Sequence, residues 1–199
     1  MDQDFADVAA FRATLARDFA KPLARSADAT VLSASWIDTR LGPMVMLSDA
    51  GRLHLLEFVA RPDLHRQLHR LQRALNGIFR FAETQPAVSA ARQLDAYFAG
   101  RSLGFDCAIA EVGTPFQLRV WACLQRIPPG ETRTYTDLAH AAGKPAAVRA
   151  AAAANAMNRC AIIIPCHRII GMDGNLTGYA GGLERKQWLL EHEMKFNRA

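Results

Sequence analysis

The chain has 199 residues, 50% of them hydrophobic and 22% charged, which is the composition of an ordinary globular protein. No apolar run is as long as a membrane span and no secretory signal opens the sequence, so neither a membrane protein nor a secreted one is expected. The formal net charge is +5, and residues 101–199 contribute most of it, with 12 Lys+Arg against 8 Asp+Glu. A basic C-terminal half is compatible with a polyanionic partner but does not identify one.

The four cysteines (Cys107, Cys123, Cys160 and Cys166) contain no Cys-x-x-Cys pair. Neither a zinc site nor a disulfide framework is therefore predicted, and the sequence favours a reducing cytoplasm. Two histidines on a predicted helix, His65 and His69, have a spacing that could bind a metal. Because no glutamate follows the first and no third ligand is evident, a solvated face is favoured over a metal site.

The first half of the chain alternates helical and extended patterns. A helix is predicted over 7–20, where apolar residues recur at helical spacing. Extended segments over 31–37, 43–47 and 53–59, separated by turn signals, predict an antiparallel meander. Four further elements are predicted before a domain boundary near residue 110: a helix over 64–75, a strand over 79–81, a helix over 88–99 and a strand over 105–109.

The second half opens with a helix over 116–126, for which Thr114 is a good N-cap and Pro115 fits the first position. Cys123 is predicted to lie in the core on its apolar side. A short helix, a Gly/Pro turn and a second helix then follow between residues 135 and 157, which is the pattern of a helix-turn-helix.

The second helix of that pair is mostly alanine around a single long cation, Arg149. Helix propensity alone could explain the alanines. A helix that reads base edges in the major groove needs polar side chains, however, and this one offers almost none. A smooth helix with one arginine instead suits close approach to a shallow groove and insertion of that arginine into the base stack.

Three isoleucines and a proline precede a cysteine and a histidine. The apolar runs on both sides predict buried extended segments, and Pro165 should end the pairing, so Cys166 is expected at a strand end, on a turn. The thiolate is the nucleophilic form, with His167 as a candidate base and Arg168 as a favourable charge. The alternative is a buried cysteine that serves as a small hydrophobic residue.

A glycine-rich loop over 171–182 then allows backbone to approach a flat ligand, and a helix over 183–193 closes the fold. Glu193, near the end of that helix, could be merely solvated. The ordered motifs together resemble the O6-alkylguanine-DNA alkyltransferases, also called methylated-DNA–protein-cysteine methyltransferases. The resemblance covers about residues 113–193 and rests on these segments: Gly113-Thr114-Pro115-Phe116-Gln117, Val120-Trp121, Ile127-Pro128, Arg149, Asn158, Pro165-Cys166-His167-Arg168, Gly178-Tyr179-Ala180-Gly181-Gly182 and Lys186.

The resemblance implies an α+β fold. Residues 1–110, which match only in layout, would form a ribonuclease-H-like domain with a small antiparallel sheet. Residues 111–199 would form a mostly helical winged-helix/helix-turn-helix domain that carries the reactive cysteine. The implied partner is double-stranded DNA, bound through its minor groove by a cytoplasmic, nucleoid-associated monomer. No cofactor, no metal and no membrane partner are implied.

The resemblance also implies repair by direct reversal of damage. O6-alkylguanine, and also O4-alkylthymine, would be flipped out of the duplex, and the alkyl group would pass irreversibly to Cys166, once per molecule. The other catalytic residues implied are His167 as a water-linked base, Glu193 as the carboxylate that orients it, Asn158 as the brace of the cysteine turn, and Tyr135 as a donor to the leaving base.

Two further groups of residues follow from the resemblance. The DNA-binding group consists of Arg149, Tyr135, Ala147 and Ala150. Within it, Arg149 would fill the gap left by the flipped base. The guanine pocket is formed by Tyr179, Ala180, Ile169, Asn155 and Gly181. The carbonyls of Cys166 and Ile169 would accept from the exocyclic amine of the base.

Some positions depart from the family pattern. Arg159 stands where a proline is common, Asn155 where the vertebrate members carry a methionine, and Ala180 where some members have a serine. Small residues at 180 and 181 predict room for alkyl groups larger than methyl. The N-terminal half lacks the zinc-binding cysteine cluster of the bifunctional members, so a regulatory function is not expected.

Three other functions compete with this interpretation. A non-catalytic damage-binding protein would lack the cysteine. A helix-turn-helix transcription factor would need base-reading side chains where this chain has alanines. A thiol hydrolase unrelated to DNA would leave Arg149 and its alanine-rich helix unexplained.

Overall fold

The computed structural model describes residues 3–21 and 29–197, with side chains described from residue 8 onwards in the first helix. The fold is α+β, with one mixed four-stranded sheet, one two-stranded sheet and seven α-helices within those ranges. It divides into two compact units, Met1–Phe98 with Asp106–Val112 and Ala99–Phe105 with Gly113–Ala199. No helix in the described ranges is both long enough and apolar enough to cross a bilayer.

The first unit contains the four-stranded sheet and three helices. Its elements in chain order are α1 (Gln3–Asp18), β1 (Val31–Ile37), β2 (Met44–Ser48), β3 (Leu53–Phe58), α2 (Leu64–Leu75), β4 (Ile78–Phe81) and α3 (Gln85–Phe98). Leu15 and Phe19, near the C-terminal end of α1, are fully buried in the hydrophobic core beside the sheet. Both histidine rings of α2 pack on Phe19, and the side chain of His65 is half exposed.

The strand order is β3-β2-β1-β4, and the first three strands form the predicted antiparallel meander. The prediction of a wholly antiparallel sheet is wrong for β4, which pairs parallel to β1. Helix α2 lies between β3 and β4 and carries the chain back across the sheet, as a parallel neighbour requires. The predicted strand over 105–109 is reduced to a single bridge between Leu53 and Ile109.

The second unit is mostly helical. Its elements are α4 (Pro115–Gln125), β5 (Arg133–Thr134), α5 (Tyr135–Ala141), α6 (Val148–Ala156), β6 (Ile169–Ile170) and α7 (Leu183–Phe196). Strands β5 and β6 pair in parallel. Thr114 and Thr134 begin α4 and α5 with complete capping boxes, which satisfy backbone N–H groups at both helix starts.

Cys123 is not a core residue, contrary to prediction. It is half-buried and lines a cavity of about 380 Å³ beside α4 and α5. The buried face of α4 is formed instead by Val120, Trp121 and Leu124, which leaves position 123 at its margin.

Candidate active site

Cys166 lies on a tight turn, but no strand leads into it. Residues 161–164 form a turn, a 3-10 turn follows over Cys166–Arg168, and β6 begins at Ile169. The prediction of an extended segment before the cysteine is therefore wrong. Ile162 has a φ of 71°, a left-handed conformation that a β-branched residue adopts only when its surroundings impose it.

The amide of Asn158 imposes this turn. Its Nδ2 donates to the carbonyl of Ile164 at 2.8 Å, and its Oδ1 accepts from the backbone N–H of Cys160 at 3.0 Å. One buried side chain thus satisfies backbone groups that would otherwise seek a strand partner, which is why three isoleucines do not form a strand here. The same Nδ2 lies 3.1 Å from Sγ of Cys166, where it favours the thiolate form.

His167, Arg168 and Glu193 form a buried network beside the cysteine. Nε2 of His167 lies 2.8 Å from Oε1 of Glu193, and Arg168 donates from Nε and Nη2 to the two carboxylate oxygens, each at 2.8 Å. Glu193 is fully buried, so it is not a solvated residue of α7. Arg168 also donates to the carbonyl of Ile127, and its charge is therefore matched by Glu193 rather than directed at the thiol.

Protonation in this network follows from burial and pairing. Burial lowers the pKa of His167 below its ordinary value, although Glu193 acts in the opposite direction. For Glu193, burial would raise the pKa, but hydrogen bonds and charges from His167 and Arg168 outweigh it, and the pKa lies well below the usual range. His167 is therefore neutral at pH 7, with Nε2–H donating to the carboxylate.

The neutral imidazole has its other nitrogen available as a proton acceptor. Nδ1 of His167 is buried and makes no hydrogen bond to any protein atom in the described ranges. A carboxylate that fixes the tautomer from one side of a ring is a common means of holding a histidine base ready on the other.

Lys186 is a buried lysine beside the candidate site, and the sequence reasoning left it without a role. Its side chain is fully buried, and Nζ donates to the carbonyls of Ile169 at 2.5 Å and Thr177 at 2.6 Å. Burial lowers its pKa to about 8, an effect that the charge of Cys166 opposes. The signal in the sequence is its position on α7, three and four residues before the buried Leu189 and Leu190, where a lysine is unusual.

Replacing Lys186 by glutamine is expected to slow the reaction of Cys166 with iodoacetamide at pH 7. Removing an opposite charge disfavours the thiolate by about one pKa unit, which corresponds to about a tenfold lower rate. The measurement is the rate of mass gain on the Cys166 peptide. Lys195→Gln, an exposed position on the same helix, is the matched control, and equal rates in the two variants would contradict the charge coupling.

Two tyrosines lie at the glycine-rich loop, Tyr179 within it and Tyr135 at the start of α5. The hydroxyl of Tyr135 lies 3.4 Å from the carbonyl of Thr177, and burial raises the pKa of this phenol, so it stays protonated as a donor. Gly178 has a φ of 62°, and a Cβ there would lie 2.5 Å from that hydroxyl, so a side chain at this position would be strained and would displace Tyr135. The ring of Tyr179 stands edge-on to His167 with the centroids 6.4 Å apart.

Of the remaining predicted pocket residues, Asn155 contacts the cysteine turn directly. Asn155 is buried on α6, with Nδ2 3.5 Å from the carbonyl of Cys166. Ile169 is buried at the start of β6. Gly181 is buried and Ala180 half-buried at the end of the glycine-rich loop.

Three of the predicted DNA-binding residues lie at the start of α6, and the fourth, Tyr135, is the first residue of α5. Arg149 and Ala150 are exposed and Ala147 is half-buried. The opposite face of α6 is buried, and the carbonyl of Ala154 accepts from Nε1 of Trp121 at 2.9 Å. Arg149 lies on α6, and α6 also touches Cys166 through Asn155.

Comparison with known proteins identifies relatives over most of the chain. Residues 115–195 match the family described as 6-O-methylguanine DNA methyltransferase, DNA binding domain. The methylated-DNA–protein-cysteine methyltransferase of Salmonella typhimurium is 43% identical over 159 residues, which is 79% of this chain and 92% of that protein. The enzyme of the same name from Methanosarcina barkeri is 58% identical over 104 residues, 52% of this chain and 66% of that one.

Solved structures extend the likeness to the fold. Mycobacterium tuberculosis OGT in complex with DNA superposes with a TM-score of 0.70 and 37% identity over 84% of this chain and 94% of that chain. The O6-methylguanine-DNA methyltransferase of Pyrococcus kodakaraensis gives a TM-score of 0.58 at 26% identity, over 81% of this chain and 98% of that one.

Proposed function

Because the chain belongs to the family of methylated-DNA–protein-cysteine methyltransferases, we propose that Cys166 is the residue that accepts the alkyl group. The reaction is DNA repair by transfer of an alkyl group from a damaged base to the protein itself. The observation that supports Cys166 is its setting, a buried thiol with an amide donor at 3.1 Å and a neutral histidine fixed by a carboxylate next to it.

The proposed reaction begins with loss of the thiol proton. Nδ1 of His167 accepts it through a water molecule, while Glu193 holds the ring by its Nε2–H. The sulfur then attacks the alkyl carbon, an S–C bond forms and the bond from that carbon to O6 breaks. The electron pair leaves with guanine, and the hydroxyl of Tyr135 stabilises the departing base by donating a hydrogen bond. The base then takes up one proton, which balances the proton that the thiol lost.

The product is a thioether, which an ordinary thiol reductant does not open. Each molecule is therefore proposed to react once and then to stay alkylated. Incubation with a duplex that carries one O6-methylguanine should raise the mass of the protein by one methylene unit on Cys166. O4-alkylthymine is proposed as a second substrate of the same site.

DNA is the partner, and the mode of binding is part of the proposal. We infer that α5 and α6 form the helix-turn-helix of a winged domain over 111–199, while residues 1–110 form a ribonuclease-H-like domain. A monomer in the cytoplasm would bind double-stranded DNA through the minor groove. Ala147 and Ala150 would allow close approach, Tyr135 would press on a phosphate, and the exposed Arg149 would fill the space of the flipped base.

Arg149→Ala is expected to slow repair of an O6-methylguanine duplex about tenfold or more, since the arginine offsets the cost of taking a base out of the stack. Reaction with free O6-benzylguanine should be unchanged, because no flipping is needed. The measurement is the rate of alkylation of Cys166 with each substrate. Arg73→Ala, at an exposed position on α2, serves as the control. Equal losses with both substrates would favour a thiol enzyme unrelated to DNA.

A further inference from the structure

A cavity of about 380 Å³ lies beside α4 and α5, within the second unit. Cys123, Ile127, Leu138 and Ala141 form the less polar part of its lining, and three charged side chains complete it. Among the described residues, the lining includes none that the proposed reaction uses. Its volume lies within the range of about 300–1,000 Å³ that small-molecule sites have, so the cavity can hold a bound molecule.

The charges at this cavity favour an anion. Arg126 and Arg133 both line it and are exposed, and Arg126 forms no ion pair within the described residues. Arg133 pairs with Glu131 at 2.7 Å, an exposed contact that contributes little and can be exchanged. The acid of the lining, Asp137, is committed to the backbone N–H and hydroxyl of Thr134, each at 2.8 Å. Two guanidinium groups can therefore bind carboxylates at one cavity.

Cys123 adds a nucleophile to the same cavity, since its thiol is free and half-buried. A half-buried cysteine alone does not indicate a ligand. A thiol between two guanidinium groups matches a molecule that carries both sulfur and carboxylates. We propose that this cavity is a site of reversible thiolation, at which Cys123 forms a mixed disulfide with a small thiol whose carboxylates bind Arg126 and Arg133.

The step is an exchange between a thiol and a disulfide. The thiolate of Cys123 attacks one sulfur of a small carboxylate-bearing disulfide, a new S–S bond forms and the old one breaks. The other half leaves as a thiolate and takes up the proton that Cys123 lost. The small disulfide is the oxidant, and an excess of free thiol reverses the exchange. Neither DNA nor Cys166 takes part, so the site does not depend on the proposed repair reaction.

Two other cysteines show why position 123 is selected. Cys160 is 1% exposed, so a ligand cannot reach it without a change of fold. Cys107 is half-buried like Cys123 but follows the carboxylate of Asp106. Burial and the charge of Asp106 raise the pKa of Cys107 to about 11, so this thiol stays protonated and its neighbour repels an anionic disulfide.

The test is the rate at which the full chain is modified at pH 7 by oxidised glutathione, followed as mass gain on the Cys123 peptide. The matched probe is the oxidised glutathione ester, which has the same skeleton with its carboxylates blocked. Cys123 should react about tenfold faster with the carboxylate form. Sodium chloride should slow that reaction and leave the reaction with the ester unchanged.

The double variant Arg126→Gln, Arg133→Gln should lose the preference between the two probes. Arg119→Gln, exposed on α4 outside the cavity lining, should keep it. Equal rates with the two probes in the wild type would overturn the inference, and so would Cys107 reacting as fast as Cys123. If the double variant does not fold, as thermal unfolding would show, the salt dependence of the wild type decides. The same dependence for both probes would then exclude a role for the arginines.

Discussion

Cys166→Ala is expected to abolish alkyl transfer completely while the protein still retains a duplex with one O6-methylguanine. The sulfur is the only atom of this turn that forms the new bond in the proposed reaction, and neighbouring groups act only through it. Intact mass after incubation, followed by mapping of the modified peptide, measures the result. Cys123→Ala removes a half-buried cysteine from the same unit and should react like the wild type.

Three outcomes would contradict the assignment in different ways. Mass gain on the Cys166→Ala protein would place the acceptor elsewhere. No gain by the wild type, with tight retention of the lesion duplex, would indicate a damage-recognition protein. No gain and no preference for the lesion would mean that this chain has departed from the activity of its relatives.

Glu193→Gln is expected to destabilise the protein by about 3 kcal/mol and to slow alkyl transfer strongly. The change removes the charge that two buried groups share, so Arg168 is left without a counter-ion and His167 loses the carboxylate that fixes its tautomer. Urea unfolding at pH 7 measures the first effect and the alkylation rate the second. Glu191→Gln, exposed on the same helix and bonded to Gln187 on the surface, should change neither.

The stability difference between the wild type and Glu193→Gln should also depend on pH. The pKa of Glu193 is lower in the folded protein than in the unfolded chain, so its charge contributes stability that is fully present above about pH 4.5. That contribution is lost as the pH falls through the folded-state value. The two unfolding free energies should therefore converge in acid, and parallel pH curves would mean that the carboxylate is not the source of the difference.

Local signals predicted much of the second unit because they act within a few residues. Thr114 and Pro115 begin α4 where expected, and the glycine-rich loop and final helix lie where their patterns indicate. The prediction of an extended segment at the three isoleucines was wrong. A single side chain, Asn158, outweighs the extended preference of these β-branched residues. The predicted antiparallel direction was wrong for β4. The direction in which this strand pairs depends on the path of α2, and the periodicity of the sequence does not report that path.

The candidate site shows the same division. Sequence reasoning selected Cys166, His167 and Glu193, and the structure joins the last two by a 2.8 Å contact across 26 positions of the chain. The sequence alone could not assign the partner of Arg168. An arginine next to a cysteine in sequence can still pair with a carboxylate on another helix, as Arg168 does with Glu193. Lys186 was given no role, because only the packing of α7 shows that its ammonium group is buried.

Helix α7 follows Cys166 in the chain, so it is synthesised after the cysteine. Cys166 leaves the ribosome before Lys186 and Glu193, because both are encoded after it. A growing chain that has reached only the cysteine therefore has neither the ammonium group that favours the thiolate nor the carboxylate that holds the histidine. The groups that surround the thiol are complete only when the helix that follows it has docked, so alkyl transfer is expected to begin only after residues 183–196 have folded.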